Sequence, residues 1–258
     1  DCLHITSWDQ DHCTLGGLIK ILELYKPTKI EYPGYLPVTD NGQECKKVIL
    51  EYRNQILTSG HTVKCVCINP EYIANLTTAV DFGYKNIFYN PRSLVDNSND
   101  NSIVKVFREG CFNVASLGDV EDVNIGSRLR RDKIFRTEID VLILAHHGAD
   151  CPTNSKNFFE RVEPRLVICS SNYDNQFEHP KQEVRDTLNE LGIPIYTTKT
   201  GDVIIESLAP HTNSFRIYNL ISNSEKLSSQ RDFRIKKHHF LSMNQDTIKN
   251  LYLPKPRY

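Results

Sequence analysis

Short apolar runs rich in β-branched residues alternate with amphipathic stretches along this chain, a pattern that predicts an α/β fold. Cys2-Leu3-His4-Ile5-Thr6 reads as the opening strand. Leu18, Ile21, Leu22 and Tyr25 then recur at helical spacing, and 29–32 forms a short strand stopped by Pro33-Gly34. Val48, Leu50, Tyr52 and Ile56 mark a helix closing near Gly60, ahead of a strand over 62–68. The polar, turn-rich segment 70–100 is expected to be surface loop with little regular structure. Runs at 103–107 and 112–117 flank Arg108-Glu109-Gly110-Cys111 as a hairpin. A charged stretch over 121–138 leads to a strand at 141–145. Another follows at 166–169, then a helix with Val184, Leu188 and Leu191 on one face and Gly192 at its end. Strands at 195–197 and 203–205 complete the pattern. Beyond Pro210 it weakens, and Pro254-Lys255-Pro256 reads as a tail.

At 258 residues and 39% hydrophobic, the chain can bury a substantial core as one large domain or a domain with an appendage. The expected division is a domain over 1–207 and a basic extension over 208–258. A formal charge of −1 excludes a strongly basic nucleic-acid binder as a whole. The charge is unevenly spread: residues 226–258 carry about +6 and the remainder about −7. The eight cysteines contain no CxxC pair. They are expected to be buried, reduced thiols, Cys65 and Cys67 facing one way on a strand. No signal peptide is visible, and no apolar run approaches the roughly 18 residues that cross a bilayer. The expectation is a soluble, cytoplasmic protein without a membrane partner.

Three strands end in metal-ligand chemistry. Ser7-Trp8-Asp9-Gln10-Asp11-His12 follows the first, Gly118-Asp119 ends a later run, and His146-His147-Gly148 ends a third. A divalent cation needs deprotonated ligands converging within roughly 2.0–2.2 Å, and strand ends are rigid places from which distant residues converge. Taken singly, each piece also reads as a turn or a helix cap. Their order and strand-end placement together point to one metal site and a hydrolase.

On these residues the chain resembles the metallo-β-lactamase superfamily, and within it the hydrolase domain of ComEC-type DNA-uptake proteins. Thr6 to His12 resembles the first metal motif, Leu117-Gly118-Asp119 the approach to a bridging aspartate, and Leu144-Ala145-His146-His147-Gly148 the paired-histidine strand end. Ser171-Asn172-Tyr173 through His179-Pro180, and Thr197-Thr198 with Gly201-Asp202-Val203, follow the same branch. The likeness covers roughly 1–207. It implies an αββα sandwich. It also implies one or two divalent ions, Mn²⁺ or Zn²⁺ with Mg²⁺ possible, held by Asp9, Asp11, His12, Asp119, His146 and His147. The implied activity is phosphodiester hydrolysis on DNA within a larger assembly, with a protein partner or a second copy; the alternatives are a catalytically silent scaffold that keeps the fold and binds a partner, and a hydrolase of a small molecule such as a lactone or cyclic nucleotide. The resemblance extends to soluble hydrolases of bacterial anti-phage systems. Ser7 stands where the first histidine of the motif usually sits, and two extra residues separate His12 from Gly16-Gly17. Because family domains carry further strands before the first motif, an N-terminal layer is expected to precede this sequence.

Catalytic roles fall on Asp9 as proton acceptor, Asp11, and His179, which either contacts the scissile phosphate or protonates the leaving oxygen. His179 and Asn172 read equally well as parts of a helix-capping loop. Ser7, Asn172, Arg128, Arg130 and Arg131 are the candidate substrate contacts; a solvated helix face accounts for the arginine run just as well. His61 is a weaker candidate ligand.

Overall fold

The computed structural model describes residues 1–76, 86–109, 112–172, 175–208 and 213–237. The fold is mixed α/β and divides into two compact units. One is Asp1–Val106 with Ser116–Gly126, and the other is Phe107–Ala115 with Ser127–Tyr258.

In the first unit the chain runs β1 (Cys2–His4), α1 (Leu15–Tyr25), β2 (Lys29–Pro33), α2 (Asp40–Thr58), β3 (Lys64–Ile68) and α3 (Pro70–Ala74). The three strands pair in parallel in the order β1-β2-β3, as they must when a helix connects each to the next. Thr14 and Thr39 cap α1 and α2, their hydroxyls accepting from the Gly17 and Gly42 amides. The buried stripes of the two helices, Leu18 and Leu22 with Cys45 and Ile49, close over Ile5, Trp8 and Ile30. The segment expected to be loop carries α3 and β4 (Asn86–Asn90). Asn69 caps α3 with Pro70 at its start, and Phe88 and Tyr89 bury β4 beside the first half of β5 (Val104–Glu109). A run too short to show periodicity hid both elements. The part of that segment over 77–85 lies outside the described residues.

In the second unit the rest of β5 neighbours β6 (Phe112–Ser116). Then come α4 (Val123–Leu129), which begins in the first unit, α5 (Lys133–Glu138), β7 (Val141–Ile143), α6 (Lys156–Val162), β8 (Leu166–Cys169), α7 (Gln182–Glu190) and β9 (Ile195–Thr197). β7, β8 and β9 are parallel neighbours, and β8 is buried throughout. A second sheet pairs β10 (Val203–Ser207), β11 (Ser214–Leu220) and β12 (Leu227–Arg234) antiparallel. The segment beyond 208 therefore contributes two strands. Phe215 and Ile217 alternate inward from β11, and Phe215 stacks on Phe112 at 5.2 Å and on Phe233 at 5.7 Å between ring centres. Interleaved serine, arginine and tyrosine masked this alternation in the sequence. Among the described residues the cysteines are free thiols; Cys13 and Cys45 are buried, and Cys65 and Cys67 are half-buried. Cys111, the tail from 238 with its Pro254-Lys255-Pro256, and the residues Tyr173 and Asp174 lie outside the described residues. No described helix is long and apolar enough to cross a membrane.

Candidate metal centre

The first unit builds its site on the turn that follows β1. The Ile5 amide still pairs with Glu31, and the Ile103 amide donates to the Thr6 carbonyl at 2.9 Å, so the chain leaves the sheet only at Ser7. Trp8 is fully buried and fixes the turn: its indole N–H lies 3.2 Å from the Pro33 carbonyl and 3.1 Å from that of Tyr35. The Tyr35 hydroxyl accepts from the Trp8 amide at 2.9 Å and lies 2.8 Å from Ser7 Oγ, which donates to Asp9 Oδ2 at 2.8 Å. One proton per hydroxyl satisfies this chain when Tyr35 donates to Ser7. The Asp9 carbonyl then accepts the His12 and Cys13 amides, closing the bend that presents Asp11 and His12.

Asp119 arrives from the end of β6 on Gly118, whose φ of +56° is a left-handed conformation. A Cβ at Gly118 would stand 2.6 Å from Ser102 Cβ, so both the turn and the close approach require glycine. Asp100 braces the loop beyond, its Oδ1 accepting the Glu121 and Asp122 amides at 2.8 Å each. His12 Nδ1 meets the Thr6 hydroxyl at 2.9 Å, and its Nε2 lies 2.5 Å from Asp119 Oδ2. Asp11, His12 and Asp119 each offer a ligand atom within 4.8 Å of the others. Asp119 is 2% exposed and Asp11 is exposed, so the cluster opens to solvent on one side. Two carboxylates and an imidazole suit a divalent cation.

The remaining first-unit candidates serve this turn. Ser7 is completely buried, and its hydroxyl positions Asp9. Asp9 stands outside the group of three, tied to Ser7 by its carboxylate. His61 is exposed beyond α2.

In the second unit β7 runs into a bend over 145–148 in which His146 (φ +43°) and His147 (φ +53°) both adopt left-handed backbone. Two consecutive non-glycine residues in that region store strain of the kind found at functional sites. The bend is held from every side. Asn154 donates to the Ala145 and Ala149 carbonyls at 2.8 and 2.7 Å, and the Cys169 thiol to that of His147 at 2.9 Å. His147 Nδ1 donates to the Ser170 carbonyl, which places the lone pair on Nε2. A Cβ on Gly148 would lie 2.6 Å from Pro180 Cβ, so glycine lets the 175–180 loop approach the bend. Asn175 clasps that loop, accepting the His179 amide at 2.6 Å and donating to the His179 carbonyl at 2.9 Å. The His179 ring is buried, stacked on Phe177, with its centre 5.7 Å from that of His146. Asn172 is exposed and contributes its carbonyl to Asn175. Arg128 lies on α4, with Arg130 and Arg131 just beyond its end.

No protein-family model matches the chain. A curated relative, competence protein ComA of Neisseria gonorrhoeae, is 34% identical over 58 residues, covering 22% of this chain and 8% of that protein. In part, the chain is similar to a competence protein. The matched stretch is a small fraction of that relative's length. Taken with the cluster of Asp11, His12 and Asp119, the similarity is compatible with a metal-dependent hydrolase.

Sequence reasoning passed over Tyr35, Asp100, Ser170 and Asn154. Tyr35 follows Pro33-Gly34 at the end of β2, which marks a turn but not a partner for Ser7. Asp100 sat in a run of polar residues with no pattern. The other two act through a carbonyl or an amide, which leaves no trace in residue type.

Proposed function

We propose that this chain is a metal-dependent phosphodiester hydrolase acting on DNA, built on a metallo-β-lactamase-type αββα sandwich of the ComEC-like branch. The observation that carries the reading is the buried Asp119 carboxylate meeting His12 beside Asp11. The order of motifs along the sequence and the partial likeness to a competence protein support it. His147 is the further ligand that the sequence resemblance implies, and its contact with Ser170 favours the tautomer that leaves Nε2 free. With Ser7 buried and Asp9 engaged by it, the first-unit donors make up a single-ion centre. Mixed oxygen and nitrogen ligands suit Mn²⁺ or Zn²⁺, and Mg²⁺ less well.

A bound cation supplies Lewis acidity for attack at phosphorus. The chain's own residues do the rest. Thr6 orients the His12 ring, and the Gly118 turn presents Asp119. Asp9, oriented by the Ser7 hydroxyl, takes the proton of the attacking water. His179, packed on Phe177 and near His146, returns a proton to the leaving oxygen.

Purified protein is expected to contain one divalent ion per chain by elemental analysis and to cleave linear DNA with Mn²⁺. Asp119→Ala and His147→Ala should each abolish that cleavage while keeping the wild-type circular-dichroism spectrum. Full activity in both variants removes the site. Activity retained in His147→Ala alone confines the ligands to Asp11, His12 and Asp119.

A further inference from the structure

The second unit contains a cavity of about 300 Å³ lined by Arg130, Arg131, Arg136, Asn157 and Arg161. Its walls come from places far apart in the sequence. Arg130 and Arg131 leave the end of α4, Arg136 lies on α5, and Asn157 and Arg161 project from α6. Phe135 and Phe158, both fully buried, meet edge-on at 6.5 Å between ring centres and lock α5 against α6. Arg136 follows one of these rings and Asn157 precedes the other, so the aromatic contact sets the spacing of the cavity walls. Asp132 fixes the bend between α4 and α5, its carboxylate accepting the Ile134 amide at 2.8 Å and the Phe135 amide at 3.2 Å. The Arg131 guanidinium is steadied by the Ser127 hydroxyl.

Among the described residues, none of these four arginines is in an ion pair. A solvated helix face spreads its charges over a convex surface. Here four cations from three helical segments converge on one concavity, a concentration of positive charge that favours an anion there. Guanidinium forks match phosphate oxygens in pairs, and the Asn157 amide adds a neutral donor. A phosphate monoester presents three outward oxygens and nearly two charges. A backbone diester presents two oxygens and one charge.

We propose that this cavity binds a phosphate monoester, namely the terminal phosphate of a nucleic-acid strand. The strand as ligand rests on the proposed action on DNA; recognition of the phosphate stands on the cavity alone.

The test is fluorescence anisotropy of the full chain in EDTA with short oligothymidylates ending in phosphate or in hydroxyl, and inorganic phosphate as competitor. The phosphorylated strand is expected to bind about tenfold more tightly than the hydroxyl-ended one. Arg161→Gln should erase that preference, and Arg161→Lys should retain part of it. Arg161 is exposed, so both variants should melt like the wild type. Equal binding of the two strands, or an unchanged preference in Arg161→Gln, overturns the proposal. Arg161-dependent binding of inorganic phosphate without a strand preference overturns the strand end and assigns the cavity to the free anion. Because metal is absent from the assay, a preference that persists in Asp119→Ala supports the cavity as a separate site. The same preference in a protein that cleaves no DNA leaves this inference standing while the hydrolase reading fails.

Discussion

Gly118 sets where Asp119 can reach. Its left-handed φ costs little without a side chain, and its hydrogen faces Ser102 at a distance no methyl group tolerates. Gly118→Ala should therefore act twice, through backbone strain of about 1–3 kcal/mol and through displacement of the neighbouring carboxylate. Metal affinity measured by calorimetry is expected to fall about 10–100-fold, the range seen when the support of a ligand is disturbed. Removing the obstructing atom gives the control. Gly118→Ala with Ser102→Gly should recover much of the affinity, because the new methyl then meets no Cβ. If the double variant binds metal no better than the single one, the contact with Ser102 is not what holds Asp119.

At the scale of elements, β1 and β2 are tied by a buried charge cluster as well as by their ladder. Glu31 is fully buried and accepts from His4 Nδ1 at 2.9 Å, Lys29 Nζ at 2.5 Å and the buried Lys105 Nζ. Burial alone would raise the Glu31 carboxyl, but the His4 hydrogen bond, the charge of Lys105 and the hydrogen bonds from Lys105 and Lys29 outweigh it and hold it well below the usual range. Burial holds the His4 imidazole below its ordinary value. Both shifts have the same sign for stability: the unfolded chain takes up protons that the folded one refuses. Stability from His4 should fade as pH drops below about 6.5, and that from Glu31 as pH drops below about 4.3. Asp140 works the other way, its carboxyl pushed up to about 6 by burial, so the informative comparison is with a variant that shares it. Glu31→Gln should lose about 3–5 kcal/mol at pH 7 in urea titrations by leaving Lys105 buried beside a neutral amide. It should also flatten the acid limb relative to wild type. The alternation of strands and helices was legible because its periodicity is local. This cluster was not, since Glu31 and Lys105 each sit in an apolar run where a lone charge reads as a strand's solvent face. The same limit applied to the metal turn: Asp11, His12 and Asp119 were visible by type and order. The Tyr35–Ser7–Asp9 chain depends on which atoms meet across β1 and β2, and no spacing encodes that.

For the molecule as a whole, a formal charge of −1 means that no general attraction draws it to a polyanion. The proposed nucleic-acid binding would have to come from local clusters, and the cavity of Arg130, Arg131, Arg136 and Arg161 is one of them. Each neutralised phosphate of duplex DNA contributes about −0.9 to the slope of log K against log salt. Four arginines that converge on one terminal phosphate therefore set a slope of only about −0.9, which corresponds to a loss of about threefold in affinity between 50 and 200 mM salt. The segment 226–258, at about +6, would add further contacts if it engaged the same duplex, steepening the slope towards about −6. Duplex binding measured without metal across that salt range separates the two. A slope near −0.9 that is lost with Arg161→Gln assigns binding to the cavity. A steep slope insensitive to Arg161 but lost when the chain is cut after Arg234 assigns it to the basic end, and the local-cluster account of binding fails.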